Sequence, residues 1–417
     1  MKTKIVLSLL LVAVFFNGFN SDASAFSTLS EKGSYFVRAL NITIPLRGDL
    51  LWGPVFDGYY WNRNVIDSMR YTGRIYYPAL DQVKTSDQYS IFFPADRSNA
   101  PYPAIVFMQG ANVDTEQYEY LFEHIASYGY IVLAVTEFMP SGKNLEGQFL
   151  NIFPDGSAEP TAWMASMMLP DLVTYLENIN ISVHDPIPNS AALDPPDPNN
   201  IDFGYKDVVR NPRGTTGADL THSLFEGMID TNKIVLAGHS MGGMLALFCA
   251  NTGIANPPRP AGGSFTNHVV GCFVYGAHTF ASSGTGFPTP VNVPLLMLGG
   301  EKDGVAAGPV PGNANASGYE RIKYTFNSFV PASGNNSRYI IGIKGANHLS
   351  AGTRPDPLVD RSFQDGKDGI ISTYIAHRII QEKVMAFLEY YSKGNSSTLP
   401  VLTGSGSEPF IYDYAVK

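Results

Sequence analysis

Cysteine is almost absent: Cys249 and Cys272 are the only two in 417 residues. That count excludes a disulfide-framework fold and leaves a single bridge or two separate thiols. Charge is scarce as well, at 16% of residues against roughly 25% in an average soluble chain. The 28 basic residues are outnumbered by 37 acidic ones, the formal net charge is −9, and no long Lys/Arg run occurs. A nucleic-acid binder needs a basic stripe, so that class is excluded. After the first 25 residues no apolar stretch approaches the ~18 residues a membrane span requires. There is also no internal repeat. With 44% hydrophobic residues, 40 Gly and 29 Pro, the chain is long enough for one large decorated domain or two ordinary ones, rich in turns.

The amino end reads as a leader. Lys2 and Lys4 precede an apolar run from Ile5 to Phe16, too short to span a bilayer comfortably, and Ala23-Ser24-Ala25 is a small-residue cleavage site. The expected organisation is a leader over 1–25, an extension over 26–66, a main domain over 67–392 and a Ser/Gly-rich tail over 393–417 that wraps the surface or frays.

Short β-branched and aromatic runs alternate with helical patterns, which points to an α/β sheet. Gly73 to Pro78 and Tyr89 to Phe93 alternate like an antiparallel pair. Continuous apolar runs follow, as expected of strands buried on both faces: Ala104 to Met108, Tyr130 to Val135, Lys233 to Ala237, Val269 to Tyr275, Pro294 to Leu298 and Tyr339 to Ile343. Helical spacing marks Glu116 to Tyr128, Ala162 to Ile179, Ser240 to Asn251 and Ile370 to Ser392. The expectation is a mostly parallel eight-stranded sheet flanked by helices. Residues 181–221, rich in Pro, Asp and Asn, interrupt it as a lid-like insertion before the strand at Lys233. A calcium site from its Asp and Asn side chains is a weaker reading, because EF-hand spacing is absent.

The chemistry centres on Gly238-His239-Ser240-Met241-Gly242, placed directly after Lys233 to Ala237 and before Met244 to Phe248. Strand, sharp turn and helix are what a nucleophile elbow needs, since the turn lifts the serine hydroxyl into a cleft. A serine at its free pKa is a poor nucleophile, so a base and an orienting acid must follow, in the order Ser, acid, His. Asp303 lies in the turn after the strand ending at Leu298, and His348 in the turn after the strand ending at Ile343. Glu301 competes for the acid role but lies closer to its strand. Among the other histidines, His239 should point away from the nucleophile. His124 and His377 lie within helices, His184 and His222 flank the insertion, and His268 and His278 border a strand. The oxyanion hole should use the backbone N–H of Met241 and that of Ala111, in the loop Gln109-Gly110-Ala111-Asn112. Gln109, Asn112 and Trp163 are candidates for substrate contact. The Met-rich helix around Trp163 serves either as a greasy substrate wall or as ordinary core.

These motifs, in this order, resemble the α/β-hydrolase superfamily over residues from about 70 to 392. Within it, Tyr120-Leu-Phe-Glu-His-Ile-Ala-Ser-Tyr-Gly-Tyr-Ile-Val-Leu-Ala134 and the elbow Leu236-Ala-Gly-His-Ser240 resemble chlorophyllases. That resemblance implies hydrolysis of the phytyl ester of chlorophyll, with Ser240 as nucleophile, His348 as base and Asp303 as acid. Met241 departs from the Arg usual after the nucleophile in plant chlorophyllases, and Gln109 departs from the His usual before the oxyanion-loop glycine. Gly-His-Ser-Met-Gly-Gly and Gly299-Gly-Glu-Lys-Asp303 also resemble bacterial cutinases and polyester hydrolases, and platelet-activating-factor acetylhydrolases share parts of the pattern. The expected reaction is acyl transfer through an acyl-enzyme on a small, hydrophobic ester, possible at a membrane surface, with no metal or organic cofactor. A non-catalytic binder on the same fold, or haloperoxidase-like or C–C hydrolase chemistry, are the rival readings. The junction Ala23-Ser24-Ala25-Phe26 resembles the cleavage site of plastid preproteins in diatoms and related algae, which implies a transit segment starting at Phe26. An ordinary periplasmic or extracellular export signal is the alternative.

Overall fold

The computed structural model describes residues 26–45, 70–80, 95–110, 113, 115–135, 224–250, 269–280, 286, 289, 291–332, 337–353, 365, 370–404 and 408–417, with parts of 169–180. Its frame is a nine-stranded sheet. In chain order the strands are β1 (Phe36–Pro45), β2 (Arg70–Ala79), β3 (Tyr102–Met108), β4 (Ile131–Val135), β5 (Ile229–His239), β6 (Val269–Tyr275) and β7 (Leu295–Gly300). A small separate hairpin, β8 (Gly308–Val310) with β9 (Asn313–Ala316), comes before β10 (Arg338–Ile343) and β11 (Ile411–Val416). The spatial order is β1-β2-β4-β3-β5-β6-β7-β10-β11.

From β4 to β10 every neighbour is parallel. All residues of β3, β7 and β10 are buried, which is why their sequences are apolar without alternation. Alternate side chains along these strands enter two cores. Val106, Leu236 and Met297 meet the helical residues Leu169, Leu172, Val173 and Leu176, together with α2 (Ser240–Cys249) and α3 (Gly318–Ser328). Ile105, Phe107 and Val235 meet α1 (Glu119–Ser127) and α4 (Thr373–Lys393), where Ile380, Val384, Phe387 and Leu388 face inward at helical spacing.

The sheet departs from the sequence expectation at both edges. Strand β2 pairs antiparallel with β4 on one side and with β1 on the other, the latter in the register Phe36↔Ala79 to Pro45↔Arg70, whereas Tyr89 to Phe93 lies outside the described residues. The tail does not fray: β11 pairs antiparallel with β10 and completes the opposite edge. Both edge strands are mostly part-exposed, so their burial pattern is weak and backbone pairing holds them. Helix α3 was also not expected, although Ser317 and Glu320 form a capping box at its start. The insertion over 181–221 lies outside the described residues. Cys249 and Cys272 are two buried thiols with no disulfide between them, both held protonated by desolvation.

Among the described residues no helix is long and apolar enough to cross a membrane. Two helical histidines brace the fold. His124 bonds the carbonyl of Leu29 through Nε2 at 2.8 Å, and His377 bonds that of Gly352 at 3.0 Å while stacking on Tyr120. Burial lowers each to about 4. The unfolded chain therefore takes up these protons first as pH falls, so stability drops between pH 6.5 and 4 and is regained above it. For His124 the shift corresponds to roughly 3 kcal/mol. Urea unfolding across that range should show this slope, and His124→Gln should flatten it; an unchanged slope in the variant would refute the assignment.

Candidate active site

The chain leaves β3 towards β4 on one side and returns as β5 on the other. A parallel sheet opens a crevice at such a reversal, beyond the carboxyl ends of its strands. The loop after β3, with Gln109 and Gly110, and the end of β5, with His239 and Ser240, both lie there.

Ser240 is the first residue of α2 and has φ +52°, the one non-glycine residue with positive φ among those described. This left-handed geometry costs an L-residue about 1–2 kcal/mol. It is imposed by close packing around the turn. A Cβ on Gly242 would lie 2.2 Å from the carbonyl oxygen of Gln109, and one on Gly238 would lie 2.5 Å from the carbonyl carbon of Gly242. Strand, turn and helix can approach this closely only without side chains at those two positions. Ser240 is half-buried while its neighbours Gly238, His239 and Gly242 are buried, so the turn presents the serine. The N–H of Met241 is among the first-turn amides that lack a partner within the helix.

His348 opens a 3-10 turn after β10, and Asp303 lies in the turn after β7. Their side chains meet: His348 Nδ1 lies 2.8 Å from Asp303 Oδ2, with both groups almost fully buried. The proton of that bond sits on Nδ1, so the neutral ring carries its lone pair on Nε2. Asp303 Oδ1 accepts from the N–H of Ala306 at 2.9 Å, which orients the carboxylate. Glu301 is engaged elsewhere, accepting from the N–H of Gly345 at 2.9 Å. The turn is held further by Tyr275, whose hydroxyl donates to the carbonyl of Asn347 at 2.7 Å.

His239 packs at the end of β5. It is buried between Tyr118 and the His348 backbone, its ring 4.6 Å from that of His348. His278 contacts Arg321, with Nε2 3.2 Å from the guanidinium; His184, His222 and His268 lie outside the described residues. So do Ala111, Asn112 and Trp163, while Gln109 is buried at the start of its loop. Among the described residues no three His, Cys, Asp or Glu side chains converge as a metal site.

Sequence reasoning missed Asp365. Its carboxylate accepts three backbone N–H bonds: Oδ1 from Gly304 and His348, each at 3.1 Å, and Oδ2 from Leu349 at 3.0 Å. One buried side chain thus ties the turn carrying the acid to the turn carrying the histidine. Burial raises its pKa, opposed by the three bonds. No sequence motif marks it, because its partners are amides from two other loops. Asp365→Asn replaces an acceptor oxygen by an NH2 group that faces N–H donors. We expect a loss of about 1–3 kcal/mol in urea unfolding together with reduced turnover. An unchanged unfolding midpoint would show that the clamp carries no energy.

Residues 74–179 match the family model described as Chlorophyllase. No curated protein matches the chain significantly. The matched stretch runs from within β2 through the loop after β3, α1 and β4 to the helical residues ending at Ile179. Taken with the mostly parallel, helix-flanked sheet, this match over residues 74–179 supports a likeness to chlorophyllase-type α/β-hydrolases.

Proposed function

We propose that the protein is a serine carboxylic-ester hydrolase with the phytyl ester of chlorophyll as its substrate. The observation that carries the reading is the half-buried Ser240 at φ +52° on the head of α2, in a fold whose loops after β7 and β10 bring Asp303 and His348 within 2.8 Å of each other. In this reading Nε2 of His348 takes the hydroxyl proton as Ser240 Oγ attacks the ester carbonyl. The N–H of Met241 and that of Ala111 receive the oxyanion. The tetrahedral intermediate collapses, the C–O bond to the alcohol breaks, and His348 returns the proton to the leaving alkoxide. Water, deprotonated by the same histidine, then releases the acid and regenerates the serine. Asp303 keeps the imidazole in the tautomer this requires. In this reading the substrate is apolar and is met at a lipid surface.

The test is incubation of the mature protein and its Ser240→Ala variant with solubilised chlorophyll and with a short-chain p-nitrophenyl ester. Serine-dependent release of chlorophyllide and phytol supports the proposal. Turnover of the short ester alone leaves an esterase of the polyester- or lipid-directed kind.

For its address, the proposal is export on a leader ending at Ala25, with everything from Phe26 retained. What supports retention is the bonding of residues 26–35. The Phe26 ring stacks on Phe410 beneath Arg378, and the N–H of Ser27 donates to the buried Glu382 at 2.5 Å. Arg378 also bonds Ser30 and Glu31, and the N–H of Tyr35 bonds the carbonyl of Ser127. A transit segment over these residues would, on removal, strip contacts from α1 and α4. Amino-terminal sequencing of the exported protein should start at Phe26; a start beyond Tyr35 would overturn this.

A further inference from the structure

Behind the proposed catalytic groups lies a chain of hydrogen bonds that the reaction scheme does not use. The N–H of Gly110 donates to the Tyr118 hydroxyl at 3.2 Å, that hydroxyl lies 2.7 Å from His239 Nδ1, and His239 Nε2 lies 3.1 Å from the carbonyl oxygen of His348. Tyr118 and His239 are each 1% exposed. The direction of the chain follows from chemistry. A backbone N–H can only donate, so the tyrosine oxygen accepts there. A carbonyl can only accept, so His239 must carry its proton on Nε2, which leaves Nδ1 as a lone pair for the tyrosine O–H. Each link then has one proton and one acceptor, and the histidine is neutral. Its burial, with His348 beside it, holds its pKa well below the ordinary value and agrees with that state.

The chain joins three segments far apart in sequence. Gly110 belongs to the loop that should supply an oxyanion donor, His239 immediately precedes Ser240, and His348 is the proposed base. The fit around them is close. A Cβ on Gly110 would lie 2.7 Å from His239 Nδ1 and 3.3 Å from the Ser240 Cβ, so the loop rests directly on the elbow. A neutral imidazole accepts on one side of its ring and donates on the other, which is what bridging a hydroxyl to a carbonyl demands.

We infer that Tyr118 and His239 are positioning residues that set the oxyanion loop, the nucleophile turn and the histidine loop in one register. This rests on the serine-hydrolase reading above. Neither residue touches the substrate. Each acts by fixing a backbone that does.

Tyr118→Phe is the test, with Tyr130→Phe as control. Tyr130 is also fully buried, but its hydroxyl donates to Glu389 at 3.1 Å, away from this chain. Measurements are kcat and KM on a p-nitrophenyl ester, the rate of Ser240 labelling by a fluorophosphonate, the melting temperature, and the His239 tautomer by nitrogen NMR. Tyr118→Phe should lower kcat and the labelling rate by about 10- to 100-fold with KM within about twofold, the scale of a small misplacement of reacting groups. Tyr130→Phe should lower the melting temperature and leave kcat unchanged. The wild-type resonance should report an Nε2–H tautomer. Equal kcat in the two variants, or an Nδ1–H tautomer, overturns the inference. A wild-type protein that neither turns over esters nor reacts with the probe refutes the serine-hydrolase reading instead, and the tautomer still decides whether the chain exists.

Discussion

Ser240→Ala should lower kcat by about 10⁵- to 10⁶-fold while leaving the protein folded. Losing the nucleophile of a serine hydrolase removes the acyl-enzyme route, and what remains comes from binding and the oxyanion donors. The same position also makes a prediction about stability. Ser240 sits at φ +52°, and an alanine there meets the same penalty. Glycine does not, so Ser240→Gly should be as inactive as the alanine variant yet about 1 kcal/mol more stable. Inactive but more stable is the signature of strain kept for function. Urea unfolding of the two variants decides it, and equal midpoints would mean that the turn is not strained. An active Ser240→Ala variant would remove the proposed mechanism altogether.

Asp303→Asn should lower kcat by about 10⁴-fold with little change in KM. The amide can present its NH2 group to His348 Nδ1, which moves the ring proton to Nε2 and takes the lone pair from the nitrogen that must face the serine. The carboxylate is almost completely buried and 2.8 Å from Nδ1, so no water can take its place without rearrangement. Glu301→Gln is the comparison. Its carboxylate accepts from the N–H of Gly345, and kcat should change by no more than a few-fold. If instead Glu301→Gln carries the large loss, the orienting acid is Glu301. Because Asp303 also accepts from Ala306, unfolding must be followed in the same samples, so that a loosened turn is not mistaken for a lost tautomer.

These outcomes rest on features that differ in how readily a sequence discloses them. The central strands were legible because β3, β7 and β10 are covered on both faces, and complete burial leaves an uninterrupted apolar run. The elbow was legible because its requirements are local: a strand, glycines flanking one residue on each side of the serine, and a helix, all within Lys233 to Phe248. The edges were not. In β1 only Ile42 is deeply buried among the side chains described, and β11 is part-exposed throughout. An edge strand is held by the ladder it forms, and sequence pattern carries no record of which ladder is available.

The site divides in the same way. Chain order and strand ends were enough to name Ser240, Asp303 and His348 as candidates, since each lies where a parallel strand ends and a loop begins. The sequence by itself therefore determined a parallel α/β frame, a strained serine turn and a short set of possible partners. It favoured Asp303 over Glu301, two carboxylates in one turn, only by distance from the strand, whereas the choice itself depends on which of them faces a loop from the next strand. The roles of Asp365, Tyr118 and His239 stayed hidden for a related reason: each bonds backbone of another loop, and every residue other than proline carries the same N–H and C=O. Only the tertiary structure decides those contacts, because hydrogen bonds to the main chain depend on where the chain goes and not on which side chains it bears.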